Sequence, residues 1–108
     1  MATILIVDDQ PVILDLVKSA LRDEGHDIVT IESPVGIEHQ IDALDPDLIL
    51  LDRMANSFNS FDLLLELKLQ YPKLPVMVYI LQKMVDLDRL KQSLAYALQG
   101  NFHHYLAF

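Results

Sequence analysis

TILIVDDQPVILDLVKSAL, Thr3 to Leu21, changes its hydrophobic period halfway along. Thr3–Val7 is a short apolar run, rich in β-branched residues, that stops abruptly at Asp8-Asp9, which is the pattern of a buried strand. Asp9-Gln10-Pro11 then starts a helix, with a carboxylate available as cap and a proline where its missing N–H costs nothing. Ile13, Leu16, Val17, Ala20 and Leu21 share one face of that helix, and Gly25 stops it.

The alternation continues to the C-terminus. Asp27–Ile31 reads as a second strand, and Ile37, Ile41 and Leu44 mark a short second helix ended by Asp45-Pro46. Asp47–Leu51 (DLILL) is a third strand, apolar almost throughout, and it too terminates in a carboxylate, Asp52. Ser60 is placed to cap a third helix whose expected core face includes Phe61, Leu64 and Leu65. Pro75–Leu81 (PVMVYIL) is a fourth strand. Asp86–Leu98 is a fourth helix, with Leu87, Leu90, Leu94, Ala97 and Leu98 in helical register and Gly100 at its end. Phe102, Leu106 and Phe108 are spaced to form one face of a last, short strand. Near-continuous apolar strands alternating with helices predict an α/β fold, a doubly wound parallel sheet covered on both faces. Residues 1–108 read as a single domain.

Bulk properties narrow the function. About half of the chain is hydrophobic (52%), enough for a real core. No apolar run is long enough to span a bilayer, and the N-terminus lacks a basic region followed by an apolar stretch, so the cytoplasm is the expected compartment. The absence of cysteine excludes a disulfide scaffold and a thiolate metal site. A formal net charge of −8 repels phosphate backbones, so direct nucleic-acid binding is not expected; it suits a cation or a partner with a basic face.

Asp8, Asp9 and Asp52 each follow directly on a buried strand. Doubly wound sheets bind ligands outside the carboxyl ends of their strands, and parallel neighbours would deliver all three acids to one crevice. Like charges at a few ångströms repel by roughly a kcal/mol or more per pair at an intermediate dielectric. A cluster of this kind is usually compensated by a divalent cation, and a small set of hard oxygen ligands points to Mg²⁺ or Mn²⁺. Each acid taken singly reads as a helix cap or a strand end; the three together read as a site. A carboxylate beside Mg²⁺ can attack a phosphoryl group and form an acyl phosphate.

At this point the sequence resembles a known family. ILIVDDQPVILDLVKSAL (Ile4–Leu21) is similar to the opening of response-regulator receiver domains, and PDLILLDRM (Pro46–Met54) to their third strand and phosphoacceptor. FDLLLELK (Phe61–Lys68) and LPVMV (Leu74–Val78) resemble their third helix and fourth strand. The resemblance implies a flavodoxin-like fold, a phosphoacceptor at Asp52, and Mg²⁺ held by Asp8, Asp9, Asp52 and the backbone carbonyl of Met54. It also implies a histidine kinase or phosphotransfer protein as donor and a downstream protein as target. The chain itself is then a switch, not an enzyme, with at most slow self-dephosphorylation.

The resemblance breaks down in several places. Asn56 and Ser60 stand where receivers carry Pro and Gly in the loop after the phosphoacceptor. The switch Ser or Thr falls on Ile80, which has no hydroxyl. The C-terminal third, atypical or truncated, admits two registers. In one, Met84–Leu98 is the ordinary fourth helix and Gly100–Leu106 the fifth strand. In the other, Tyr79–Leu90 resembles the fifth strand, its Lys-Pro turn and the start of the last helix. The second is the closer sequence match and makes Lys83 the phosphate-contacting lysine. In either, a helix at Asp86–Leu98 followed by a strand is expected to complete a right-handed βαβ unit.

Other features carry less. His103-His104 face opposite ways on a strand and make no metal site. Tyr79 and Tyr105 are candidates for the aromatic switch of receivers but are read first as packing or edge residues, and Met77 and Met84 as core or rim. Leucines beyond one face of the third helix suggest a surface covered by a second copy, a homodimer. Two other functions compete: a pseudo-receiver that binds partners without being phosphorylated, and a Mg²⁺-dependent phosphatase similar to the haloacid dehalogenases. The latter place two acids two residues apart after the first strand, whereas Asp8 and Asp9 are adjacent.

Overall fold

The computed structural model describes residues 2–80, 84–101 and 104–106, with side chains for 2–80 and 87–99. Among these, five strands form one parallel sheet: β1 (Thr3–Val7), β2 (Asp27–Ile31), β3 (Leu48–Asp52), β4 (Val76–Tyr79) and β5 (His104–Leu106). Their spatial order is β2-β1-β3-β4-β5. Helices α1 (Pro11–Asp23), α2 (Ile37–Leu44), α3 (Ser60–Gln70) and α4 (Met84–Tyr96) connect them, and α4 runs on into a π-turn at Ala97–Asn101. The predicted α/β class and doubly wound parallel sheet are what the chain adopts. No helix among the described residues is long and apolar enough to cross a membrane.

The β-period sorts the strands' side chains into two cores. Ile4, Ile6, Leu48, Leu50, Met77 and Tyr79 face α1 and α4, meeting Leu14, Val17, Leu21, Leu90 and Leu94. Leu5, Val7, Ile49, Leu51, Val76 and Val78 face α2 and α3, meeting Ile37, Ile41, Leu63 and Leu67. Because β3 is covered on both sides, all five of its residues are buried, including the terminal Asp52. Gly25 closes α1 at φ +89°, a left-handed value that glycine adopts without a Cβ penalty.

Several expectations are corrected by the packing. The helix over Phe61–Leu65 turns Leu63 and Leu67 inward, with Leu64 half-buried, and leaves Phe61 and Leu65 exposed. Leucines on all sides give this segment no preferred face, so its rotation is set at its N-terminus. There Asn59, not Ser60, is the cap, accepting from the N–H of Phe61 and of Asp62 at 3.0 Å. The Ser60 hydroxyl instead donates to the backbone carbonyl of Asp52, hooking α3 to the end of β3. On α1 the side chain of Leu14 is buried and Leu16 only partly so, and no carboxylate caps it: Gln10 is the cap residue, and its side chain makes no capping bond to the helix. β4 ends at Tyr79, two residues short of Leu81. The fourth helix starts at Met84, and Gly100 falls within the π-turn instead of ending a helix.

The hand of the last crossover is also corrected. α1 carries the chain leftward to β2 on one face, while α2 and α3 carry it rightward on the opposite face; these three connections share one hand. α4 carries it rightward from β4 to β5 but packs on the α1 face, which gives this unit the opposite hand. Right-handed connections prevail because right-twisted strands favour them. Here the apolar stripe Leu90, Leu94 and Ala97 is drawn to the core beside α1. A helix does follow the fourth strand and a strand does flank it, as both registers expect; the side of the sheet is what the sequence did not disclose.

Candidate functional site

The register of the sheet places the acids. Val7 pairs with Leu51, so Asp8 stands one step on, level with Asp52; Asp52 in turn pairs with Tyr79. Asp8, Asp52 and Tyr79 thus form a row across β1, β3 and β4 at the carboxyl edge. Asp9, in the turn before α1, closes the group. One carboxylate oxygen from each of Asp8, Asp9 and Asp52 lies within 4.8 Å of the others. Asp8 is fully buried and Asp52 is 2% exposed, so water screens their charges poorly.

Each acid is held differently. Asp8 Oδ1 accepts from the Gln10 N–H at 2.8 Å, and Oδ2 accepts from the Tyr79 hydroxyl at 2.5 Å. Asp9 Oδ2 accepts from the Asn56 and Ser57 N–H groups at 2.8 and 2.7 Å, which ties the loop after β3 to the start of α1. Asp52 Oδ1 accepts from the Met54 N–H at 2.9 Å. Asp9 Oδ1 and Asp52 Oδ2 are buried with no hydrogen-bond partner. Buried polar atoms are rarely left so, and two orphaned oxygens inside an acidic cluster match the donor set of a hard divalent cation.

Ionisation follows from these contacts. Burial foremost, together with the neighbouring charges of Asp8 and Asp9, pushes the Asp52 carboxyl up to about 7, against the Met54 N–H, which works in the other direction. Partial burial also opposes ionisation of Asp9, but the bonds from Ser57 and Asn56 outweigh it and hold that carboxyl below the ordinary range. Burial and the adjoining acids push the Tyr79 phenol far above its usual value, so it is a donor at every physiological pH.

The structure therefore gathers Asp8, Asp9 and Asp52, as their strand-end positions predict. The Met54 N–H reaches Asp52, while its carbonyl, the expected fourth ligand, accepts from the Gln10 side-chain amide at 2.9 Å. Ile80 follows β4, half-buried, and brings no hydroxyl. Lys83 and His103 lie outside the described residues, as do the side chains of Met84, His104 and Tyr105. Sequence reasoning missed Tyr79, read as a packing residue, and Gln10. The signal for Tyr79 was its position: the last residue of a strand whose neighbour ends in Asp52.

Comparison with known proteins agrees with this geometry. The family model of the response regulator receiver domain matches residues 4–95, ending inside α4. The probable transcriptional regulatory protein TcrX of Mycobacterium tuberculosis is 34% identical over 88 residues, 82% of this chain and 37% of that protein. The nitrogen assimilation regulatory protein NtrX of Azorhizobium caulinodans is 38% identical over 77 residues, 69% of this chain and 17% of that one. The chain thus spans well under half the length of these relatives. The crystal structure of the receiver domain of NtrX from Brucella abortus superposes with a TM-score of 0.75 at 30% identity, covering 89% of this chain and 98% of that one.

Proposed function

The chain belongs to the response regulator receiver domains of two-component systems, and from that premise we propose that it accepts phosphate on Asp52, with Mg²⁺ held by Asp8, Asp9, Asp52 and the Met54 carbonyl. The observation that carries this reading is the pair of buried, unpartnered oxygens, Asp9 Oδ1 and Asp52 Oδ2, within the three-acid cluster. A bound Mg²⁺ would offset the clustered charge and the charge on an incoming phosphoryl group. One carboxylate oxygen of Asp52 is the nucleophile. It forms the new O–P bond as the P–N bond of a donor phosphohistidine breaks, and the departing imidazole takes up a proton. The donor is a histidine kinase or phosphotransfer protein, and both it and the chain act in the cytoplasm. The product adds negative charge and acceptor oxygens beside Asp9 and Gln10. These two residues already hold the loop after β3, so a change at Asp52 reaches that loop directly, and through it a downstream protein.

Mg²⁺ with and without beryllofluoride, followed by NMR, tests the assignment. Saturable shifts around Asp52 are expected with both added, and none from beryllofluoride with Asp52→Asn. A wild-type chain that ignores beryllofluoride at millimolar Mg²⁺ would remove the phosphoacceptor role. The missing hydroxyl at Ile80 favours the second reading, an interaction module that is not phosphorylated, and partner binding indifferent to Asp52→Asn would establish it.

A further inference from the structure

Burying a hydroxyl is unfavourable unless it is hydrogen-bonded, and β4 ends in one. Tyr79 is 1% exposed and belongs to the core between the sheet and α1. Its ring fills space that a leucine or phenylalanine would also fill; what only tyrosine supplies is the O–H, and that O–H donates to Asp8 Oδ2. The contact is not between adjacent strands, because β3, carrying Asp52, lies between β4 and β1. The phenol therefore reaches past the proposed phosphoacceptor to a residue two strands away.

We propose that Tyr79 is a positioning residue of the acidic site, its hydroxyl fixing the Asp8 carboxylate in the orientation in which it ligates a divalent cation. The inference rests on the cation-binding reading above and adds a residue to it. Asp8 alone among the three acids has a donor on each oxygen: the Gln10 N–H on Oδ1 and the Tyr79 hydroxyl on Oδ2. Two donors at opposite ends of a carboxylate fix the rotation of its plane, yet each oxygen keeps lone-pair capacity for a cation. Asp9 and Asp52 each keep one oxygen without any partner. One pre-oriented ligand beside two with free oxygens is the arrangement in which partners behind a ligand tune metal affinity, and loss of such a partner typically costs about 10- to 100-fold.

The test compares Tyr79→Phe with wild type in Mg²⁺ titrations by calorimetry and amide NMR shifts, with Met77→Leu, on the same strand and face, as a control for packing. Tyr79→Phe is expected to weaken Mg²⁺ binding about 10-fold, and Met77→Leu to leave it within twofold of wild type. In the wild type, the ¹³Cζ resonance of Tyr79 is expected to move with the same Mg²⁺ dependence as the amides near Asp52. Unchanged Mg²⁺ affinity in a folded Tyr79→Phe protein overturns the proposal, even if that protein is less stable. Should the variant not fold, the ¹³Cζ resonance decides: movement with Mg²⁺ supports the role, and a static signal overturns it. A wild-type protein that takes up no Mg²⁺ overturns this inference and the metal-site reading together, whereas normal wild-type binding with an insensitive variant overturns this one alone.

Discussion

At neutral pH the Asp52 carboxyl is divided between protonated and ionised forms, because burial and two neighbouring acids raise it to about 7 from an ordinary 3.8. Between those values the folded chain binds more protons at this position than the unfolded chain does. Stability of the cation-free protein therefore falls as pH rises from about 4 to about 7, the reverse of the usual effect of a salt-bridged aspartate. Asparagine carries no charge, so Asp52→Asn should flatten this dependence and stabilise the cation-free fold at pH 8 by on the order of 2 kcal/mol. Urea unfolding at pH 5 and pH 8 measures both effects; an unchanged slope would mean that Asp52 is ionised in the folded state throughout. The readings of Asp8, Asp9 and Asp52 from sequence hold at this scale because an acid directly after a buried strand has only the sheet edge to go to. Tyr79 was not legible in the same way, since a tyrosine at a strand end is ordinarily packing, and its partner is 71 residues away.

At the scale of elements, α3 shows how far a hydrophobic pattern can be read. SFDLLLELKLQ carries leucine around most of its circumference, so periodicity does not select a face. Two contacts select it instead: the Asn59 cap and the bond from the Ser60 hydroxyl to the carbonyl of Asp52. Leu67 is consequently 1% exposed and Leu65 60% exposed, although only Glu66 separates them. Leu67→Ala should cost about 2–5 kcal/mol, Leu65→Gln less than about 0.5 kcal/mol, and Asn59→Ala about 1 kcal/mol. Chemical denaturation of the three variants checks the order, and equal losses at Leu65 and Leu67 would contradict the observed rotation of α3. The Ser60 contact also joins the N-terminus of α3 to the residue proposed to carry phosphate, so a change at Asp52 has a short mechanical route into this helix.

For the whole molecule, the three acids form part of a formal net charge of −8. Any salt reduces general self-repulsion of that kind, whereas a site filled by Mg²⁺ stabilises the fold by mass action. With Mg²⁺ at tenfold its Kd the gain is about 1.4 kcal/mol. MgCl₂ should therefore raise the thermal midpoint beyond NaCl at matched ionic strength, and Asp8→Asn or Asp52→Asn should remove the excess. Equal shifts from the two salts would indicate screening alone.

What the sequence determined by itself was the alternation of strand and helix, the parallel sheet, and the three acids at its carboxyl edge. Each follows from local period and from where a buried run stops, information carried within a few residues. Tertiary structure alone decided the face that α3 buries, the side of the sheet taken by α4, and the meeting of Tyr79 with Asp8. Those depend on which surfaces compete for the same core, and residues far apart in the chain settle that competition only once they are packed together.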